Sequence, residues 1–164
     1  MDTYERSTRV DAPLDTVWEF HSTQSGLVSL TPDWMNLRIE EVRGPDGGAD
    51  PAVLEPGATL RCSVRPLGVG PRQSWTSEIV ARDRSEGSAY FRDVMRDGPF
   101  PEWEHTHQFY ADGEQTVIRD SINYELPLGV IGRAVGPAAV VGFEPMFRWR
   151  HSQTRKLLEN GVSH

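Results

Sequence analysis

Along residues 102–110, aromatic and imidazole side chains alternate with acidic and polar ones. Trp103, His105, His107 and Phe109 occupy every second position, and the positions between them are Glu, Thr and Gln. Because a β-strand directs successive side chains to opposite faces, we predict a strand whose buried face carries both histidines. Buried imidazoles need polar partners, since an unpaired polar group in an apolar interior costs free energy.

Acidic residues of the two flanking segments can supply these partners. A further strand is predicted on either side, and consecutive antiparallel strands set opposed residues about 4.5–5.5 Å apart. The predicted inner faces of the flanking strands carry Phe91, Asp93, Met95, Ile118, Asp120, Ile122, Tyr124 and Leu126. We therefore expect Asp93, Asp120 and Tyr124 to join the two histidines in one polar cluster, faced by His151 of a predicted C-terminal helix.

This cluster admits four interpretations. Carboxylate and imidazole stabilise each other's charged forms, so the cluster can be an internal network that fixes the strands and the shape of a cavity. It can orient a polar group on an otherwise apolar ligand. It can also act in acid–base catalysis, because histidine beside a carboxylate exchanges protons near neutral pH. A metal site is the fourth, but no recognised metal motif is present, and we predict no metal and no cofactor.

Five residues of this cluster are the catalytic candidates if the protein is an enzyme. His105 or His107 would act as general base. Asp93 or Asp120 would orient the imidazole, and Tyr124 would donate a hydrogen bond to an oxyanion. These roles need a cavity wide enough to bring a substrate within hydrogen-bond reach of a ring nitrogen.

Composition limits the class of protein. The chain has 164 residues, 37% of them hydrophobic, a net charge of -7 and one cysteine, Cys62. This size suggests one domain over 1–164, and a single cysteine excludes an internal disulfide. The acidic balance argues against nucleic-acid binding. Because no run of about 18 apolar residues and no signal-peptide core are present, we expect no membrane segment and a cytoplasmic location.

Hydrophobic periodicity and turn residues divide the chain into a series of elements. The predicted order is a strand over 4–10, helices over 13–23 and 25–31, strands over 37–42, 60–65, 74–81, 89–96, 102–110 and 116–126, and a helix over 131–159. The last helix carries an apolar stripe at helical spacing, formed by Val140, Phe143, Phe147, His151, Thr154 and Leu158. Pro137 and Pro145 are expected to kink or interrupt this helix.

This order predicts an α+β fold. An antiparallel sheet of about seven strands and one long terminal helix each have one apolar face, and each must bury that face against the other. A strongly twisted sheet that curls around a helix can leave a cavity between the two.

The order and its residues resemble the START/Bet v 1-like superfamily, also called the SRPBCC or helix-grip group, and in particular its polyketide cyclase/dehydrase-like branch. The resemblance rests on VDAP and VWEF in the segment 10–20, on WTSEI at 75–79, on GPFPEWEHTHQF at 98–109, on 116–120 and on YELPLG at 124–129. It implies a helix-grip fold that holds an apolar small molecule between the sheet and the last helix. It says little about the particular function, because this fold serves many.

The first expectation for function is therefore a binding or carrier protein for a hydrophobic small molecule such as a lipid, quinone, isoprenoid or polyketide. The predicted ligand-binding residues are Trp75, Phe91, Asp93, Met95, Trp103, His105, His107, Phe109, Asp120, Tyr124, Phe143, Phe147 and His151. The alternative is a cyclase or dehydratase acting on a polyketide-like substrate, and a third possibility is an interaction module with a filled core. A monomer or a homodimer is expected.

Two further groups of residues are given structural interpretations. The hydroxyl residues that follow His21 could suggest a hydrolase dyad, but no nucleophile-elbow motif accompanies them, and we predict a solvated helix end. Arg148 and Arg150 could meet an anionic ligand, but a polar helix face is the preferred interpretation.

Overall fold

The computed structural model describes residues 1–127, 129 and 140–159, and this part of the chain contains seven strands, three α-helices and two single-turn 3-10 helices, Asp33–Met35 and Pro66–Gly68. The strands are β1 (Asp2–Val10), β2 (Arg38–Arg43), β3 (Thr59–Val64), β4 (Gln73–Arg84), β5 (Ser88–Arg96), β6 (Glu102–Asp112) and β7 (Gln115–Glu125). The helices are α1 (Leu14–His21), α2 (Gln24–Ser29) and α3 (Val140–Glu159).

The strands form one antiparallel sheet in the order β1-β7-β6-β5-β4-β3-β2. The chain crosses from one edge to the other only between β1 and β2, where α1 and α2 lie, and every later strand pairs with its predecessor. The predicted α+β fold, with about seven antiparallel strands, two short helices after the first strand and one long C-terminal helix, is confirmed.

The register of the sheet brings the acidic and imidazole residues together as alternation predicts. His107 lies opposite Asp120 of β7, and Asp93 of β5 lies opposite His105. Trp103 lies opposite Tyr124 on the same pair of strands. Because opposed residues share a face, all of these side chains point to the inner side of the sheet, where the helices pack.

A close backbone approach fixes the junction of α1 and α2. Thr23 caps α2 by accepting a hydrogen bond from the backbone N–H of Gly26, at 3.3 Å. A Cβ atom added at Gly26 would lie 2.1 Å from the backbone oxygen of Phe20. Only glycine allows the two short helices to pack at this angle, and this angle sets the position of the α2 residues that face the sheet.

The long helix α3 buries the predicted stripe. Phe143, Phe147, His151, Thr154 and Leu158 are all buried. The side chain of Val140, the residue Pro137 and the beginning of the predicted helix lie outside the described residues. The helix continues through Pro145, so that proline does not end it. No helix among the described residues is long and apolar enough to cross a membrane.

Contacts between α3 and the edge strand β1 hold the helix against the sheet. The ring centroid of Tyr4 lies 5.7 Å from that of Phe143 and 5.4 Å from that of Phe147. The Tyr4 hydroxyl donates a hydrogen bond of 2.6 Å to Glu144, which also forms an ion pair with Arg6. Apolar packing and a polar clamp on β1 therefore fix the first half of α3.

Candidate functional site

A cavity of about 180 Å³ lies between the inner face of the sheet, the α2 region and α3. Its wall is mostly apolar, and the polar side chains on it come chiefly from β4, β5, β6 and α3. The lining residues are His21, Thr23, Gly26, Leu27, Leu30, Thr31, Pro32, Leu54, Leu60, Cys62, Trp75, Ser77, Ile79, Phe91, Asp93, Met95, Trp103, His105, His107, Met146, Phe147 and Arg150.

Eight of the thirteen predicted ligand-binding residues line this cavity. They are Trp75, Phe91, Asp93, Met95, Trp103, His105, His107 and Phe147. Seven of them lie on β4, β5 and β6. They point to the same face of the sheet because every second residue of a strand lies on one face. The eighth, Phe147, reaches the cavity from the buried stripe of α3.

The other five predicted residues lie behind the cavity wall. Phe109 is covered by α1, with its ring centroid 5.7 Å from that of Trp18. Tyr124 and Phe143 pack edge to face at 5.0 Å under α3. The remaining two, Asp120 and His151, are buried and support the cavity wall through hydrogen bonds. These five point to the predicted face of the sheet or helix, but helix packing covers them.

Asp120 is the centre of the polar cluster. Its Oδ1 atom lies 2.9 Å from Nε2 of His105 and 3.1 Å from Nδ1 of His107. Its Oδ2 atom lies 2.5 Å from Nε2 of His151 on α3. Because carboxylate oxygens only accept hydrogen bonds, the imidazole N–H groups are the donors. Burial alone would raise the pKa of Asp120, but these three partners hold it well below its ordinary value.

His107 lies between two carboxylates. Its Nε2 atom is 3.1 Å from Asp93 Oδ2, and its Nδ1 atom faces Asp120. Ser77 donates a hydrogen bond of 3.2 Å to the other oxygen of Asp93. Burial opposes charge on this imidazole, but the hydrogen bonds to Asp120 and Asp93 outweigh it and raise the pKa of His107. The Nε2–H of His107 thus donates to Asp93, and the two flanking carboxylates favour the protonated form of this buried ring.

His105 lies beside this ring, and its pKa is shifted in the opposite direction. Its ring centroid is 3.7 Å from that of His107. Burial and the charge on His107 lower the pKa of His105, against the attraction of Asp120. A neutral ring that donates from Nε2 carries a lone pair on Nδ1. His105 thus adds a hydrogen-bond acceptor beside the carboxylates and the imidazole of His107.

Metal binding would disrupt this arrangement. Asp93, His105 and His107 bring one ligand atom each within 4.8 Å of one another, so they form a group that could hold a cation. Both nitrogens of His107 already contact carboxylates. A metal ion bound to His107 would have to replace one of these contacts and displace a proton.

The end of α1 is buried, so the prediction of a solvated helix end at His21 is wrong. His21 lines the cavity, and its Nδ1–H donates a hydrogen bond of 2.8 Å to the Val17 carbonyl. Burial lowers its pKa to about 3. Ser22 is also buried and donates to the Trp18 carbonyl at 2.6 Å, so its hydroxyl hydrogen is engaged with the backbone. The α2 region covers this end of α1.

The prediction of a polar helix face is correct for Arg148 and wrong for Arg150. Arg148 is exposed and forms an ion pair with Glu144 at 3.2 Å. Arg150 lines the cavity, and burial lowers its pKa. Its spacing of three residues from Phe147, a member of the apolar stripe, is a sequence signal that would have placed it near the inner face. The α2 residues of the cavity wall carry no comparable signal.

The replacement Asp120→Asn tests whether Asp120 holds the cluster together. With asparagine at position 120, Asp93 is the only carboxylate left beside His107, and the buried charge loses part of its compensation. We therefore expect a loss of about 3–5 kcal/mol in the free energy of unfolding. The pKa of His107 should fall as well. Urea unfolding near neutral pH and an NMR titration of the histidine rings measure both effects. Asp83→Asn, at an exposed position of β4, is the control and should cost little; a loss below about 1 kcal/mol for Asp120→Asn would contradict the assignment.

The buried His21 makes stability depend on pH. Its folded pKa of about 3 lies below the unfolded value near 6.5. The unfolded chain therefore takes up a proton that the folded ring does not, and this group costs stability as pH falls below about 6.5. His107 contributes with the opposite sign, because its raised pKa stabilises the fold at low pH and the contribution is lost as pH rises through the folded pKa.

Comparison with His21→Gln isolates this contribution, because the other titrating groups are present in both proteins. Between about pH 6 and 4, the free energy of unfolding of the unsubstituted protein should fall more steeply, by about 1.4 kcal/mol per pH unit. Nitrogen NMR should show a neutral His21 ring with its proton on Nδ1 in this range. Equal slopes, together with a His21 ring that titrates near 6.5, would contradict the burial effect.

Solved structures with the same fold cover nearly the whole chain. Norcoclaurine synthase from Thalictrum flavum, in complex with dopamine and hydroxybenzaldehyde, has a TM-score of 0.67 at 18% identity, over 99% of this chain and 89% of that chain. A Thermus thermophilus protein has a TM-score of 0.62 at 16% identity, over 99% and 100% of the two chains. A Chromobacterium violaceum protein has a TM-score of 0.67 at 12% identity, over 97% and 99%. At these identities the likeness establishes the fold alone.

Among curated proteins, none matches the sequence. The family model for "Polyketide cyclase / dehydrase and lipid transport" matches residues 1–159. This match agrees with the sheet that packs against a long C-terminal helix and with the Bet v 1-like fold of the solved neighbours. The chain therefore belongs to the polyketide cyclase/dehydrase and lipid transport family.

Proposed function

We propose that the cavity binds a hydrophobic small molecule and that the polar cluster orients a polar group on it. The observation that carries this proposal is the composition of the wall, which is apolar over most of its area and polar at one side. Burial of apolar ligand surface gives about 25 cal/mol per Å² before ordering costs. Few and fixed polar groups in an apolar cavity are the usual arrangement of a small-molecule site.

The hydrogen bonds within the cluster support binding more than turnover. Asp93 and Asp120 have both carboxylate oxygens engaged, and His107 faces a carboxylate at each nitrogen. Groups that are already paired hold their positions and supply a fixed electrostatic environment to a ligand. Lipids, quinones, isoprenoids and polyketide-like molecules are the ligand classes that such a wall suits.

The alternative function is an acid–base enzyme of the cyclase or dehydratase type. It is favoured by His105, a neutral imidazole on the cavity wall whose Nδ1 lone pair can accept a proton. Its Nε2–H donates to Asp120, the arrangement that orients a general base. The structural neighbour norcoclaurine synthase is an enzyme whose complex contains two small aromatic molecules. The two functions differ in whether a bound molecule is recovered unchanged or chemically converted.

The replacement Leu27→Trp tests binding in this cavity. Leu27 lines the cavity from α2, whereas its neighbour Val28 is exposed at 50% and lies outside the cavity. An indole at position 27 should occupy the space of the ligand and weaken binding of a neutral isoprenoid such as geraniol roughly tenfold or more. Val28→Trp is the matched control and should bind like the unsubstituted protein.

Calorimetry gives the affinities, and mass spectrometry of the recovered ligand distinguishes a carrier from an enzyme. Equal affinity of the Leu27→Trp variant and the unsubstituted protein would place the binding site elsewhere. Recovery of a converted molecule would favour the enzyme.

A further inference from the structure

Arg150 brings a positive charge to the cavity wall. It lies on α3, one turn beyond Met146 and Phe147, and all three residues line the cavity. Arg150 is only partly exposed, and burial of its guanidinium lowers its pKa. An arginine side chain nevertheless stays protonated in proteins. The cavity is therefore bordered by a permanent cation that is shielded from bulk water.

The guanidinium of Arg150 has no hydrogen bond or ion pair to any residue in the described part of the chain. The other half-buried arginines of that part differ in this respect. Arg6, Arg72, Arg82 and Arg92 each donate to at least one carboxylate, hydroxyl or carbonyl oxygen. Five N–H donors on a half-buried cation need acceptors. Because Arg150 lines the cavity, an acceptor on a bound molecule can reach it.

The two carboxylates that attract Arg150 are already engaged with other residues. Asp93 and Asp120 attract Arg150 electrostatically but form no ion pair with it. The oxygens of Asp93 accept from Ser77 and His107, and both oxygens of Asp120 face imidazoles. The protein thus balances the charge of Arg150 at a distance and leaves its hydrogen-bond donors free for another acceptor.

The cavity volume is close to the space that one aromatic ring needs. A cavity of about 150 Å³ lined by apolar side chains holds one benzene ring, and the cavity beside Arg150 measures about 180 Å³. One ring with a short substituent fills such a space. Four aromatic rings surround it, from Trp75, Phe91, Trp103 and Phe147.

We propose that the ligand is a small aromatic acid, whose ring lies in the apolar cavity and whose carboxylate pairs with Arg150. A carboxylate accepts two parallel hydrogen bonds from one guanidinium, whereas a primary amide or an alcohol has a single acceptor oxygen. This inference rests on the proposed binding function and adds the chemical class of the ligand to it.

Three ligands of one shape test the proposal. Cinnamate, cinnamamide and cinnamyl alcohol share the ring and the three-carbon chain and differ in the terminal group. Calorimetry near neutral pH should show that cinnamate binds roughly tenfold or more tightly than the amide or the alcohol, because only the carboxylate forms a charge-assisted pair with the guanidinium. Arg150→Met should remove this preference, so that the three ligands bind with similar affinity.

Arg148→Met is the matched control, since Arg148 lies on the same helix and is exposed; it should keep the preference for cinnamate. The comparison of the three ligands on the unsubstituted protein needs no variant, so it remains decisive if Arg150→Met does not fold. Equal affinity for all three would overturn the carboxylate assignment and leave the binding function intact. No binding of these three, nor of geraniol, would overturn both.

Discussion

The buried carboxylate of Asp120 is the constraint on which the site depends. It is 1% exposed and receives hydrogen bonds from His105 of β6 and His151 of α3. A charge in that position is tolerated only while its partners stay in place. One side chain therefore fixes the register of β6 against β7 and the position of α3 above the sheet. The cavity exists because the helix is held at that distance by polar contacts as well as by the packing of Tyr4 and Phe147.

The same carboxylate determines what the cavity wall presents to a ligand. It shares His107 with Asp93, and the pair of carboxylates favours the protonated form of that imidazole. Burial, together with the charge on His107, in turn lowers the pKa of His105. Much of the polar wall is thus engaged in internal hydrogen bonds. The Nδ1 atom of His105 and the guanidinium of Arg150 are among the groups that remain to interact with a bound molecule. An apolar ligand with one oxygen-bearing end is the complement of such a wall.

Much of this arrangement is predictable from the sequence, because alternation along strands and the spacing of the α3 stripe report which face is inner. These patterns alone place Asp93, His105, His107 and Asp120 in one cluster, as the structure has them. They do not report where a helix covers that face. Helices cover Phe109 and Tyr124, so these two residues belong to the core and do not line the cavity, which the patterns could not predict. The burial of His21 is likewise not predictable from these patterns, because it depends on how α2 packs on α1 at Gly26.

Four methionines allow a direct test of where a ligand binds. The side chains of Met95 and Met146 line the cavity, whereas those of Met1 and Met35 do not. With carbon-13 labels on the methionine methyl groups, titration with cinnamyl alcohol should shift the NMR signals of Met95 and Met146 through the ring current of the ligand. The signals of Met1 and Met35 should stay in place. Saturable binding with no change at Met95 and Met146 would contradict a ligand site between the sheet and α3.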